Sequence, residues 1–258
     1  MISDLFASLR YSQYWTFSTW MKFGLKYRKT ALGPIWLVVS PAIFVGFLGY
    51  LFSRVNNSNL EVFVPHLAVG YVTWTLVMGF VNGGATVFLR RRSEILQGQM
   101  RLTDIVLSEL FSNFLQYLHQ IIIIVAVFIY FRVIPPPEAF LSLIGVGFIL
   151  INGFWLTIFL GIIGARYRDL VEVISAVMRL AFFITPIIWI PKDGAGGILG
   201  AFLVLNPFYH FLELVRAPLL GTPIAMTSWL VVAGITLLGF LTTSIIYRQS
   251  ARLVPLWV

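Results

Sequence analysis

The side chains able to do chemistry in this chain are few, and most are arginines. Arg90-Arg91-Arg92 runs straight into Ser93, Glu94, Ile95 and Leu96. Arg166 and Arg168 flank Tyr167, and Arg179 stands alone in an apolar stretch. A guanidinium is a planar fork that grips phosphate or carboxylate with two parallel hydrogen bonds. Catalytic sets are missing. The three histidines, His66, His119 and His210, are far apart, and there is no cysteine. No metal site is therefore expected. None of the four lysines stands in a Gly-x-x-x-x-Gly-Lys-Ser/Thr phosphate loop, so nucleotide-driven work falls to another polypeptide. Asp4, Asp104, Asp169 and Asp193 are isolated from one another, which removes a paired-aspartate metal site.

The elements that must position these residues are membrane helices. Of 258 residues, 59% are apolar and 11% charged, against about 45–50% and about 25% in soluble domains. Mean hydropathy is +0.90. Six stretches are long enough to cross about 30 Å of hydrocarbon: 31–52, 63–89, 110–131, 140–165, 173–191 and 226–247. They are continuously apolar, so they read as helices and not as alternating barrel strands. Arg179 is their one formally charged residue, and the lack of a carboxylate argues against an ion-coupled carrier. Pro34 and Pro65 are read as lying near helix starts, and Pro186 as a kink inside the fifth span. Thirteen Lys and Arg fall on the side holding both termini and four on the other, which puts both ends in the cytoplasm. The +8 net charge is thus read as setting topology, with no nucleic-acid partner.

Two further segments are expected to be structured without spanning. Near the N-terminus, where Ser3 is a candidate helix cap, Lys22, Lys26 and Lys29 share one helical face and Phe17, Trp20, Gly24 and Tyr27 another. That pattern fits an amphipathic helix in the membrane interface, or a plain positive anchor. Residues 195–221 hold a short apolar run, the breaker Asn206-Pro207, and a second run in which Glu213 and Arg216 stand three apart. A re-entrant helical hairpin on the outer face fits both pieces.

Candidate surfaces follow. Apolar Ile95, Leu96 and Met100 among charges between Arg90 and Glu109 read as a docking surface, or as a solvated positive loop. Arg179 reads as a phosphate contact, or as an arginine that snorkels or pairs with Asp169 or Glu172. His119, in mid-span, reads as a helix–helix hydrogen bond. Asn56-Asn57-Ser58 matches a glycosylation acceptor too common to weigh.

Four stretches together resemble the ABC-2 type polysaccharide export permeases. Tyr27-Arg28-Lys29-Thr30-Ala31-Leu32-Gly33-Pro34-Ile35-Trp36 resembles the motif that opens the family's first span. Arg166-Tyr167-Arg168-Asp169-Leu170 is similar to its cytoplasmic arginine–aspartate motif, and Thr185-Pro186-Ile187-Ile188-Trp189 to its fifth-span motif. The run from Asn206-Pro207-Phe208-Tyr209-His210 through Glu213 and Arg216 to Pro218-Leu219-Leu220-Gly221 resembles its external re-entrant segment. The ending at Gly221 looks closer to O-antigen exporters than to capsule exporters. The order holds over nearly the whole chain.

The resemblance implies an all-α, six-span membrane subunit with no catalysis and no cofactor of its own. It implies a homodimer with two ABC ATPase subunits, which bind the ATP and magnesium, and a lipid-linked polysaccharide as cargo in the bacterial inner membrane. It implies that the N-terminal interface helix and the loop after the second span contact the ATPases, in that loop around Arg90, Arg91, Arg92, Ser93, Glu94, Ile95 and Leu96. Pyrophosphate or glycan contacts would fall to Tyr27, Arg28, Arg166, Arg168 and Arg179, and an external gate to Asn206, Pro207, His210, Glu213 and Arg216. Rivals are an exporter of drugs or small lipids and a membrane-embedded transferase acting on lipid-linked sugar.

Overall fold

The computed structural model describes every residue except 29–32, 56–58, 99 and 192–196. Lys29, the glycosylation triplet, Lys192 and Asp193 therefore lie outside the described residues, as do the side chains of Lys26 and Tyr27. The described chain is helical: α1 (Ile2–Arg10), α2 (Ser12–Arg28), α3 (Trp36–Val55), α4 (Leu60–Arg90), α5 (Arg92–Leu96), α6 (Leu102–Phe131), α7 (Leu141–Arg166), α8 (Leu170–Ile184), α9 (Gly197–Leu205), α10 (Pro207–Leu220), α11 (Met226–Ser250) and α12 (Val254–Trp257). Among the described residues, five helices are long and apolar enough to cross a membrane: α3, α4, α6, α7 and α11.

The bundle is organised around α4. In its most apolar window 61% of residues are buried, against 17% in α11, so α4 is the hub and α11 lies at the bundle's periphery. Lipid tails are as apolar as leucine, so close contact between helices replaces the hydrophobic drive of a water-soluble core. Small residues make that contact possible. Gly153 and Gly161 of α7 lie under the rings of Phe80 and Phe88, Gly164 lies against the Ala85 carbonyl, and Gly84 of α4 lies against Thr157.

The fifth apolar stretch departs from the sequence expectation. Its helix, α8, has 15 residues and stops at Ile184, so it is about 22 Å long at 1.5 Å per residue, short of a full crossing. Pro186 does not kink a span; it follows the helix end. Thr185 is extended (φ −78°, ψ 135°), as the residue before a proline prefers. Three other readings are corrected. Pro65 lies in the second turn of α4, five residues past its start. Ser3 is inside α1 and not its cap. His119 bonds its own helix, at the Leu115 carbonyl (2.7 Å), with its ring near Phe23.

Both termini lie at one end of the bundle. Tyr247, near the end of α11, donates to the Asp4 carboxylate (3.0 Å), and Ser8 bonds Thr103 at the start of α6 (2.7 Å). Arg166, at the end of α7, stands over the Trp257 ring at 5.0 Å. The α9–α10 hairpin occupies the opposite end. Asn206 caps α10 through the Phe208 N–H, Pro207 fills its first position, and Gly221 ends it at φ 74°.

Candidate functional site

At the arginine-rich end, the docking candidates separate into two groups. Arg90 donates to Glu109 (2.9 Å) and to the Gly83 carbonyl (3.1 Å), so it ties α4 to α6. Glu94 accepts from Lys22 of α2 (2.7 Å) and from Arg91 (2.8 Å). Partial burial pushes the Glu94 carboxyl up, but the two hydrogen bonds and charges outweigh it and hold the group below the usual carboxylate range. Ile95 is buried in the cluster formed by Val87, Phe88, Ile105 and Val254. Arg92, Ser93 and Leu96 are exposed. The five-residue helix α5 is therefore anchored on one face and presents a cation, a hydroxyl and an apolar side chain on the other.

The substrate candidates do not form one cluster. Arg28 is exposed at the end of α2, and Arg166 and Arg168 are exposed around the turn into α8. Arg179 lies about 14 Å further along α8, and no ion pair to Asp169 or Glu172 is present among the described residues. It opens onto a cavity of 470 Å³ between α3, α4 and α8. Aromatic rings dominate that cavity. Phe44 stacks on Tyr71 with centroids 4.4 Å apart, and Phe182 stands edge-on to both. Trp74 lies 5.9 Å from Phe182. The α4 floor is set by Trp74, which is buried, while α8 supplies the cation.

At the opposite end, two sequence motifs meet. Asn206 donates to the Thr185 hydroxyl at 2.9 Å. Arg216, 3% exposed, donates to both the Pro186 carbonyl and Glu213, and its Nη1 lies 2.9 Å from His66 Nε2. His66 Nε2 also lies 3.2 Å from the Pro186 carbonyl, so the histidine, the arginine and that carbonyl form one buried cluster. His210 Nε2 donates to the Val204 carbonyl and Nδ1 accepts from Ser228, each at 2.9 Å. The break after α8 frees backbone groups at membrane depth, where each must find a partner. Arg216 supplies one, so the hairpin is fastened to the fifth apolar stretch.

One polar seam escaped the sequence reading. Thr75 donates to Gln120 (2.5 Å), Asn113 lies over Gly79, and Glu109 lies over Gly83. A Cβ at either glycine would come within 2.6 Å of a side-chain oxygen. The signal was present: Glu109, Asn113 and Gln120 recur at i, i+4 and i+11, facing Thr75, Gly79 and Gly83 at i, i+4 and i+8.

The geometry has relatives. Residues 13–220 match the ABC-2 type transporter family. This chain belongs to the ABC-2 type transporter family. An O-antigen export system permease protein RfbA of Myxococcus xanthus is 24% identical over 196 residues, 74% of each chain. A protein of the same name from Klebsiella pneumoniae is 23% identical over 168 residues, 64% of each chain. The ABC-2 membership agrees with a multi-pass, all-helical membrane subunit built for transport.

Proposed function

We propose that this chain is the membrane subunit of an ATP-driven exporter of lipid-linked polysaccharide, with O-antigen as the favoured cargo, in the bacterial inner membrane. The observation that carries the proposal is the aromatic cavity with one arginine. Sugar rings present C–H faces that pack on aromatic rings, and the cavity between Phe44, Tyr71, Trp74 and Phe182 offers such faces with little charge to trap the cargo. Arg179 suits the phosphate that joins glycan to lipid. Arg28, Arg166 and Arg168 gather the same group at the cytoplasmic mouth, where both termini lie.

The energy comes from a pair of ABC ATPase subunits that hold the ATP and magnesium. They dock on Arg92, Ser93 and Leu96. Closure of the ATPases pushes α5, and the Lys22–Glu94 bridge passes that push to α2. The helix α2 leans on α6 through Trp15–Phe111 and Phe23–His119, so the motion enters the spans. Two copies of the chain form the path, and the Asn206–Arg216 hairpin gates its outer end. Names of the relatives favour glycan over drug cargo, and the aromatic lining agrees.

The test is reconstitution of the purified chain with the ATPase that co-purifies with it. ATP-dependent uptake of a lipid-linked glycan into inverted vesicles is expected, falling in Arg179→Ala at equal ATP turnover. Arg92→Glu with Leu96→Asp should release the ATPase without unfolding the chain. Transport by the chain alone, or absence of any ATPase on purification, overturns the reading.

A further inference from the structure

Behind α8 lies a second cavity, 340 Å³ in volume, walled by α4, α7, α8, α10 and α11. Phe80, Ile149, Met178 and Phe211 form its buried walls. Its polar wall groups are already used: the Asn152 amide nitrogen donates to the Phe148 carbonyl and to Thr236, and the Asn152 oxygen accepts from the Trp155 indole. Nothing is left to hold water, which needs two to four polar partners. A dry void of this size would forfeit the packing of every side chain around it. The wall also includes Val173 and Val177, both more than half exposed on α8, so the cavity opens sideways between the helices. In that setting the abundant apolar material is lipid hydrocarbon.

We infer that this cavity is a binding slot for one acyl chain of a bilayer phospholipid. The walls carry no charged side chain, so no headgroup is recognised and ordinary membrane phospholipid suffices. The cargo's phosphate-seeking group, Arg179, opens on the other side of α8, so the slot is separate from the aromatic cavity. Met178 belongs to both walls. The acyl chain thus braces a 15-residue helix that is too short to be held by the bilayer on its own.

Photolabelling tests this directly. The purified chain in nanodiscs is exposed to phosphatidylethanolamine carrying a diazirine in one acyl chain, irradiated, digested and mapped by mass spectrometry. Adducts are expected at buried Phe80 and Ile149 as well as at lipid-facing Leu237 and Leu241. In Val177→Trp, which plugs the mouth, the buried adducts should vanish while those on α11 persist. Ile174→Phe fills the same slot from within and should give the same loss, so a failure of one variant to fold leaves the other to decide. Labelling confined to outward-facing residues in the unaltered chain overturns the inference, as does buried labelling that survives both substitutions. Buried labelling by an isoprenyl phosphate probe but not by the phospholipid also overturns it, in favour of the cargo's own tail.

Discussion

Replacing Arg216 by methionine keeps the length and apolar stem of the side chain and removes its fork. In the structure that fork reaches the Glu213 carboxylate through Nε (3.0 Å) and Nη2, the Pro186 carbonyl through Nη1, and His66 Nε2 at 2.9 Å. The substitution strands a carboxylate whose side chain is 19% exposed. It also removes the Arg216 hydrogen bond from the Pro186 carbonyl beyond α8, leaving the longer 3.2 Å contact to His66 Nε2. Removing one partner of a buried ion pair costs about 3–5 kcal/mol, so the local equilibrium that keeps α10 fastened should weaken on the order of a thousandfold at 4 kcal/mol. The assay is reversible unfolding in lipid-matched micelles, run beside cysteine accessibility at Thr185→Cys in this cysteine-free chain. Thr185 is fully buried, so its labelling should rise steeply in Arg216→Met. Adding Glu213→Gln removes the stranded charge and should recover about 1–3 kcal/mol of the loss through coupling of the two sites. Additive losses in the double variant, or an unlabelled Thr185 in Arg216→Met, would refute the claim that this arginine pins the hairpin to the broken helix.

Two other outcomes are expected. The Glu94 carboxyl is held below its usual range, so the α2–α5 bridge contributes fully above the unfolded-state value and is lost only as pH falls through the lower folded value. Spin labels at Ser18→Cys and Ser93→Cys should keep a narrow distance distribution from neutral pH down through the ordinary carboxylate range and broaden only below it; broadening near the ordinary value would contradict the assignment. Gly164→Ala places a methyl group on the Ala85 carbonyl and should cost about 1–3 kcal/mol in an unfolding titration, whereas Gly147→Ala, with open space around it, should be neutral or better.

Much of the architecture was legible because it depends on hydrophobicity summed over long windows. Six apolar stretches, the arginine bias toward one end and the Asn206-Pro207 break all follow from local composition, and helices had to form because a span must satisfy its own backbone. The spacing of Glu213 and Arg216 also predicted their pairing, since residues three apart share a helix face. The mixture of charged and apolar residues from Arg90 to Leu96 was visible, but not their orientation. Which of its residues face inward depends on Lys22, some seventy positions earlier, and on Val254, far later, and no local pattern carries such contacts.

What the amino-acid order determined on its own is that this is an oil-embedded, helical polypeptide with most of its cations toward one end. Only the tertiary structure decided that the fifth stretch stops short, that Arg216 caps the carbonyl left behind, and that Arg179 opens onto stacked aromatic rings. The physical reason is range. Burial in lipid is a property of each segment, whereas hydrogen bonds and ring stacking need atoms within a few ångströms, and in this chain those atoms come from segments up to 150 residues apart.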